Sequence, residues 1–153
     1  MNWDEQRHWE DVGEGDEVPA VAFPLSVYRL VVAAGGNRDF NSIHHNAEYA
    51  RASGASDIYA MTGFLMGAWE RTVREFIGLD GTIRKITGFR MKGFNLVGTT
   101  VTVSGRVTRK WVDDGVGFVD LEIASTNRDV TTVGPGTVTV TLPLRQSDGG
   151  TYR

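Results

Sequence analysis

Asp39 and His44 stand five positions apart in the run NRDFNSIHHN, and an acid and an imidazole that close on one loop can share a single water molecule. Such a pair does general acid–base chemistry near neutral pH, where imidazole readily exchanges a proton and a carboxylate holds or takes one. The spacing alone carries little weight. A plainer reading makes Asp39 and Asn41 turn formers that bond the local backbone, while His44 and His45 cap the loop or face solvent. The flanking residues add to the case: Gly35-Gly36 breaks a helix just before Asp39, and Asn46 starts another just after His44. Polar groups braced by helices at both ends make a preorganised site. Farther on, Thr62-Gly63 opens an apolar helix, whose first N–H groups lack helical partners and whose glycine admits a close ligand. That suits a carbonyl oxygen that gains negative charge during reaction, although simple helix packing explains Gly63 equally well.

The elements that must position these groups follow from periodicity. Residues 1–16 are acidic and poor in aliphatic side chains, an expected lead-in with Trp3 and Trp9 as candidate anchors on the body. EVPAVAF at 17–23 reads as a strand, and SVYRLVVAA after Pro24 as a short helix stopped by Gly35-Gly36. Asn46 as N-cap and Gly54 as stop bound a second short helix, AEYARAS. Phe64, Leu65, Ala68, Trp69, Val73, Phe76 and Ile77 recur on one face of a third helix, opposite Glu70, Arg71, Arg74 and Glu75, with Gly78 at its end. From residue 83 the period becomes two. Phe89 and Met91 alternate with Arg90 and Lys92; Val101, Val103 and Val107 follow, then Val119, Leu121 and Ile123, then Val138, Val140 and Leu142. Asp113-Asp114-Gly115 is a hairpin signal. One α+β domain over 17–143 is expected, an antiparallel sheet wrapped around the apolar helix, with a frayed tail at 144–153.

Bulk properties narrow the classes. With 153 residues, 41% of them hydrophobic and 23% charged, the chain fits one ordinary globular domain. A net charge of −3 argues against nucleic acid as a partner, since phosphate binding is driven by Lys and Arg. The sequence has no cysteine, which removes disulfides, thiolate nucleophiles and Cys-ligated metals. No metal is expected: Asp113 and Asp114 read as turn residues, and His8 has no ligand at suitable spacing. With no long apolar run and no basic-then-apolar leader, a cytoplasmic chain without a membrane role is expected.

The stretch NRDFNSIHHNAEYARASG resembles the motif of the MaoC-like, (R)-specific enoyl-CoA hydratases, an Asp-x-Asn-Pro-x-His core followed by an Ala-rich helix. The match falls on Asp39, Asn41 and His44, with Phe40 and Ile43 at the apolar spacers. Downstream, ITGFRMKGFNLVGTTVTVSGRVT is similar to the family's strand region after its central helix. The resemblance spans 17–143 in element order and is tight over 37–54 and 86–107. It implies a hot-dog fold and the reversible addition of water to a trans-2-enoyl-CoA thioester. Asp39 and His44 would hold the water and titrate as a coupled pair, with the identity of the base left open. The Gly63 N–H would polarise the thioester carbonyl beside Thr62, and Asn41 would brace the loop. Arg90 and Lys92 are candidates for the phosphates of coenzyme A, against the plainer reading of a solvated strand face. No cofactor is implied, since coenzyme A is part of the substrate.

The chain departs from the family pattern at three places: Asn37-Arg38 stand for Ser-Gly, Ser42 for Pro, and Thr62-Gly63 for His-Gly. The features RDF…HH, SDIY and GFRM resemble the small subunit of actinobacterial heteromeric hydratases that act on steroid side-chain CoA thioesters. In that group the small subunit carries the Asp/His pair beside a second MaoC-like chain. Two other readings compete. A hot-dog thioesterase needs a carboxylate on or near the central helix, and Glu70 and Glu75 fall on its polar face. A non-catalytic acyl-CoA-binding or scaffolding subunit of a heteromeric hydratase is the other. Either way an oligomer is expected, a homodimer or a heteromer with a second MaoC-like subunit, because a lone domain leaves a sheet edge and half a pocket uncovered.

Overall fold

The computed structural model describes residues 6–145. Trp3 and most of the expected tail lie outside them. Five strands, β1 (Glu17–Pro24), β2 (Thr82–Thr87), β3 (Thr100–Asp113), β4 (Val116–Asn127) and β5 (Val130–Leu142), form one antiparallel sheet in the order β1-β3-β4-β5-β2. Between β1 and β2 the chain makes α1 (Val27–Gly36), α2 (Ala47–Ala52) and α3 (Thr62–Ile77). The sheet curls around α3, which is the hot-dog arrangement expected from the sequence.

The alternating valines produce this geometry. Val101, Val103, Val119, Leu121, Ile123, Val138 and Val140 are fully buried on one sheet face, and α3 lays Leu65, Ala68, Trp69, Val73, Phe76 and Ile77 against it. Each such aliphatic side chain stabilises the fold by about 1.5–3 kcal/mol through removal from water. Phe64 is only half-buried, edge-on to Phe23, whereas Thr72 is buried and its hydroxyl donates a hydrogen bond to the Ala68 carbonyl at 2.9 Å. At the centre, the Trp69 indole N–H donates to the Ser125 hydroxyl at 2.8 Å, so the largest core side chain is oriented as well as buried. Arg74, expected on the polar face, is half-buried and donates to the carbonyls of Gly78 and Gly81 (3.3 and 2.6 Å), where the helix end leaves acceptors without partners.

Residues before β1 are part of the body. Gln6 and Arg7 donate to the Ile77 and Phe76 carbonyls at 2.8 and 2.9 Å, closing the end of α3. Trp9 donates through its indole to the Phe118 carbonyl at 3.1 Å and lies so close to β4 that a Cβ on Gly117 would sit 2.7 Å from the ring. The Lys110 ammonium stands 3.8 Å from the centre of that ring.

One hairpin turn agrees with the sequence reading, one carried no signal, and one expected strand is corrected. Asp114 and Gly115 both have positive φ (47° and 74°), the two-residue hairpin signalled by the sequence; the β4–β5 hairpin uses Arg128 and Asp129 (49° and 63°), with no glycine to announce it. The strand expected around Phe89–Lys92 is instead an extended crossing with a single bridge, Met91 to Val133. The chain turns at Gly88 (φ 69°) after β2 and runs over the Gly134–Gly136 irregularity of β5, where Pro135 has no N–H to extend a ladder.

Replacing Ser125 by Ala strands the indole N–H in the core. The expected result is a loss of about 1–3 kcal/mol in urea unfolding at unchanged m-value, with Trp69 still buried by fluorescence.

Candidate active site

The loop that carries Asp39 begins where α1 ends. Asn37 caps the helix, and Arg38 takes the left-handed conformation (φ 56°) that a glycine would take more cheaply. The Asp39 N–H then reaches back to the Ala34 carbonyl at 2.9 Å. From there the loop is stitched by short polar side chains. The Asn41 N–H donates to Asp39 Oδ1 at 3.3 Å, and the Ile43 N–H to Asn41 Oδ1 at 3.2 Å. A 3₁₀ turn over Ser42–His44 delivers the imidazole, and Asn46 caps α2 by accepting from the Tyr49 N–H at 2.9 Å.

His44 is buried. Its Nδ1 lies 2.8 Å from the Tyr59 carbonyl oxygen, which can only accept, so Nδ1 carries a proton and Nε2 is the atom free to exchange one. Nε2 stands 3.3 Å from Asp39 Oδ2. The two side chains differ in access, 6% exposed for the imidazole and 37% for the carboxylate. Solvent therefore reaches the pair from the Asp39 side, while the ring is walled by Tyr59 (5.4 Å, edge-on), itself packed on Phe94 at 4.6 Å.

The structure also places the opening of α3 beside this loop. A Cβ on Gly63 would meet Met61 Cε at 3.0 Å and Asn37 Oδ1 at 3.3 Å, so the residue that ends α1 touches the second residue of α3. A groove of about 560 Å³ runs from there, lined by Phe23, Ala33, Asn37, Gly63, Phe64 and Gly67. Gly63 is exposed, and the helix start is open to it.

Other candidates are placed elsewhere. The Thr62 hydroxyl donates to Met91 Sδ at 3.4 Å. Arg90 and Lys92 are exposed, and their backbone groups pair with Gly134 and Thr132; neither has an ion-pair partner among the described residues. They lie on the extended crossing, not on a strand. His45 is exposed, and His8 sits 3.7 Å from Asp11. Glu70 is exposed at the groove, and Glu75 is paired with Arg71. Among the described residues no group of three or more His, Asp or Glu side chains is placed to hold a metal, and no helix is long and apolar enough to cross a membrane. The Tyr59 carbonyl was not singled out from the sequence, and Asn37 stood out only as a departure from the family's Ser-Gly. A main-chain acceptor fifteen residues from its donor leaves no signature in side-chain types.

A sheet of this order curled around one helix defines a hot-dog domain, and an acid and an imidazole converge on the loop that follows α1. The 3-oxo-4,17-pregnadiene-20-carboxyl-CoA hydratase beta subunit of Mycobacterium tuberculosis (strain ATCC 25618 / H37Rv) is 33% identical over 119 residues, which span 77% of this chain and 85% of that protein. The chain belongs to the MaoC-like enoyl-CoA hydratase family. A chain of the ChsH1–ChsH2 complex from Mycobacterium tuberculosis is similar at TM-score 0.76 and 28% identity, covering 85% of this chain and 98% of that one. R-hydratase PhaJ1 from Pseudomonas aeruginosa shares the fold at TM-score 0.80 and 16% identity, covering 90% of this chain and 86% of that one. No family model matches the chain.

Gly63→Ala should fold with stability within about 1 kcal/mol of the parent, since the helix gains propensity while the far ends of Met61 and Asn37 give way. Thermal melts check this; a larger loss would mean the helix start is packed more tightly than the groove implies.

Proposed function

We propose that this chain adds water reversibly across the trans-2 double bond of an enoyl-CoA thioester and supplies the acid–base pair for a complex with a second MaoC-like subunit. The observation that carries the reading is the pairing of His44 Nε2 with Asp39 Oδ2 at 3.3 Å, with Nδ1 already committed to the Tyr59 carbonyl. One water that contacts both of those atoms from the open, Asp39 side loses a proton to the pair as its oxygen bonds to the β-carbon. The pair returns a proton to the α-carbon, so the protein ends each turnover as it began. Negative charge builds on the thioester oxygen meanwhile, and the Gly63 N–H at the open start of α3 is the donor suited to it. Asn41 holds the carboxylate's loop rather than moving protons. Arg90 and Lys92, exposed and without ion-pair partners among the described residues, are suited to the phosphates of coenzyme A.

The beta-subunit relative and the ChsH1–ChsH2 complex support a heteromer. So does the surface: Val27, Tyr28, Val31 and Val32 of α1 are exposed together with Phe40 and Tyr49, an apolar cover for which a partner subunit is the fitting occupant. A bulky polycyclic acyl group, as in that relative's name, is the proposed substrate class, and the open groove beside Gly63 and Gly67 leaves room for it.

The reading of this chain as a scaffolding subunit is favoured by one observation: Thr62 stands where the family carries His, and its hydroxyl is bound to Met91. The thioesterase reading loses support at Glu75, which is paired with Arg71, and keeps Glu70, which lines the groove, as its one candidate carboxylate.

Co-expression with a second MaoC-like chain, followed by an assay for loss of the conjugated-thioester absorbance, separates these. Asp39→Asn and His44→Ala should each lower kcat by about 10²–10⁴-fold with the circular dichroism unchanged. Full activity of the complex with either variant would leave the scaffold reading standing, and release of free thiol would point to a thioesterase. Arg90→Gln combined with Lys92→Gln should raise KM for CoA esters severalfold and leave kcat nearly unaltered, read from initial rates.

A further inference from the structure

The Tyr59 carbonyl that fixes His44 is not part of the five-stranded sheet. It belongs to the extended segment Ile58–Ala60, which is held by its own short antiparallel pairing with residues 95–97. The Ala60 N–H donates to the Asn95 carbonyl and the Val97 N–H to the Ile58 carbonyl, both at 2.9 Å, about a bridge between Tyr59 and Leu96. The position of the acceptor for His44 is therefore set by wherever residues 95–97 are set.

Those residues are tied to the sheet by a buried polar contact. Asn127, at the end of β4, donates from Nδ2 to Asn95 Oδ1 at 3.2 Å and to Thr99 Oγ1 at 2.7 Å, gripping both ends of the 95–99 segment. The Thr99 hydroxyl in turn donates to the Leu96 carbonyl at 2.7 Å. Asn95 is 0% exposed and Asn127 8%. Among the described residues, Asn95 Nδ2 and Asn127 Oδ1 have no hydrogen-bond partner. Two buried amides that leave a donor and an acceptor unsatisfied are a poor way to stabilise a core, and aliphatic side chains of the same size would fill it at lower cost. What amides provide and aliphatics do not is direction.

We propose that Asn127 and Asn95 are positioning residues for His44: through residues 95–97 they hold the Tyr59 carbonyl where it fixes the ring tautomer and aims Nε2 at Asp39. This bears on catalysis only if Asp39 and His44 are the reacting pair, as argued above, but the effect on the ring itself does not depend on that reading. Neither side chain touches the substrate groove.

The test is made on the purified full chain, and on its complex for kinetics, with Asn127→Leu and the isosteric Thr99→Val, which deletes only the shared hydroxyl. The sequence has three histidines, His8, His44 and His45, so imidazole ¹⁵N NMR resolves them, with His44 assigned by a His44→Gln sample. The parent should show His44 as the Nδ1–H tautomer with a slowly exchanging ring proton. Both variants, with native circular dichroism, should show mixed tautomers at His44 and exchange faster by about tenfold or more, while His8 and His45 keep their signals; kcat should fall about ten- to a hundredfold with KM within about twofold. Unchanged His44 signals in a folded Asn127→Leu overturn the proposal, and if that variant does not fold, Thr99→Val decides it alone. Altered His44 signals in a protein that hydrates no enoyl thioester in any form would uphold the positioning role and remove the functional reading instead.

Discussion

The hydrogen bond from His44 Nδ1 to the Tyr59 carbonyl is the constraint on which the site depends. An imidazole has two nitrogens and can carry its proton on either, so a free ring offers Asp39 a mixture of donor and acceptor. Committing Nδ1 to a main-chain oxygen removes that ambiguity and fixes the plane of the ring at the same time. The remaining nitrogen can face only one direction, toward the carboxylate at 3.3 Å. A backbone acceptor suits this task because it cannot titrate, so the orientation of the ring survives changes in the charge of the pair.

The central helix sets the second half of the geometry. Its apolar stripe must face the sheet, and Trp69 locks its rotation by bonding Ser125 across the core. With the rotation fixed, the start of the helix emerges beside the end of α1, where Asn37 meets Gly63. Core packing and site architecture are thus one problem: a helix that turned to improve a hydrophobic contact would carry its open N–H groups away from the Asp39 loop.

Much of this was legible in the residues. The period-two valines, the aromatic stripe of α3 and the caps at Asn46 and Gly78 each follow from local rules, and they are borne out because burial and local preference agree there. The Asp39–His44 spacing pointed to the loop. What could not be read were features made by tertiary contact. Residues 89–92 alternate like a strand yet form a crossing, because the glycines and proline opposite them interrupt the ladder. The hairpin at Arg128–Asp129 carries no glycine, and the tie from Asn127 through Asn95 to the Tyr59 segment joins three stretches whose sequences give no hint of one another.

The order of the strands has a consequence for how the chain assembles. β3, β4 and β5 are joined by two-residue turns and can pair from contacts near in sequence, whereas β1 must find β3 with Glu17 opposite Arg106. Closing that long loop is entropically costly and belongs late in folding. Asp39 and His44 lie inside the closing segment, so a chain halted before this step has a formed meander and an unassembled Asp39–His44 pair. In this architecture strand content and the closure of the Asp39–His44 pair are separable properties, acquired in sequence rather than together.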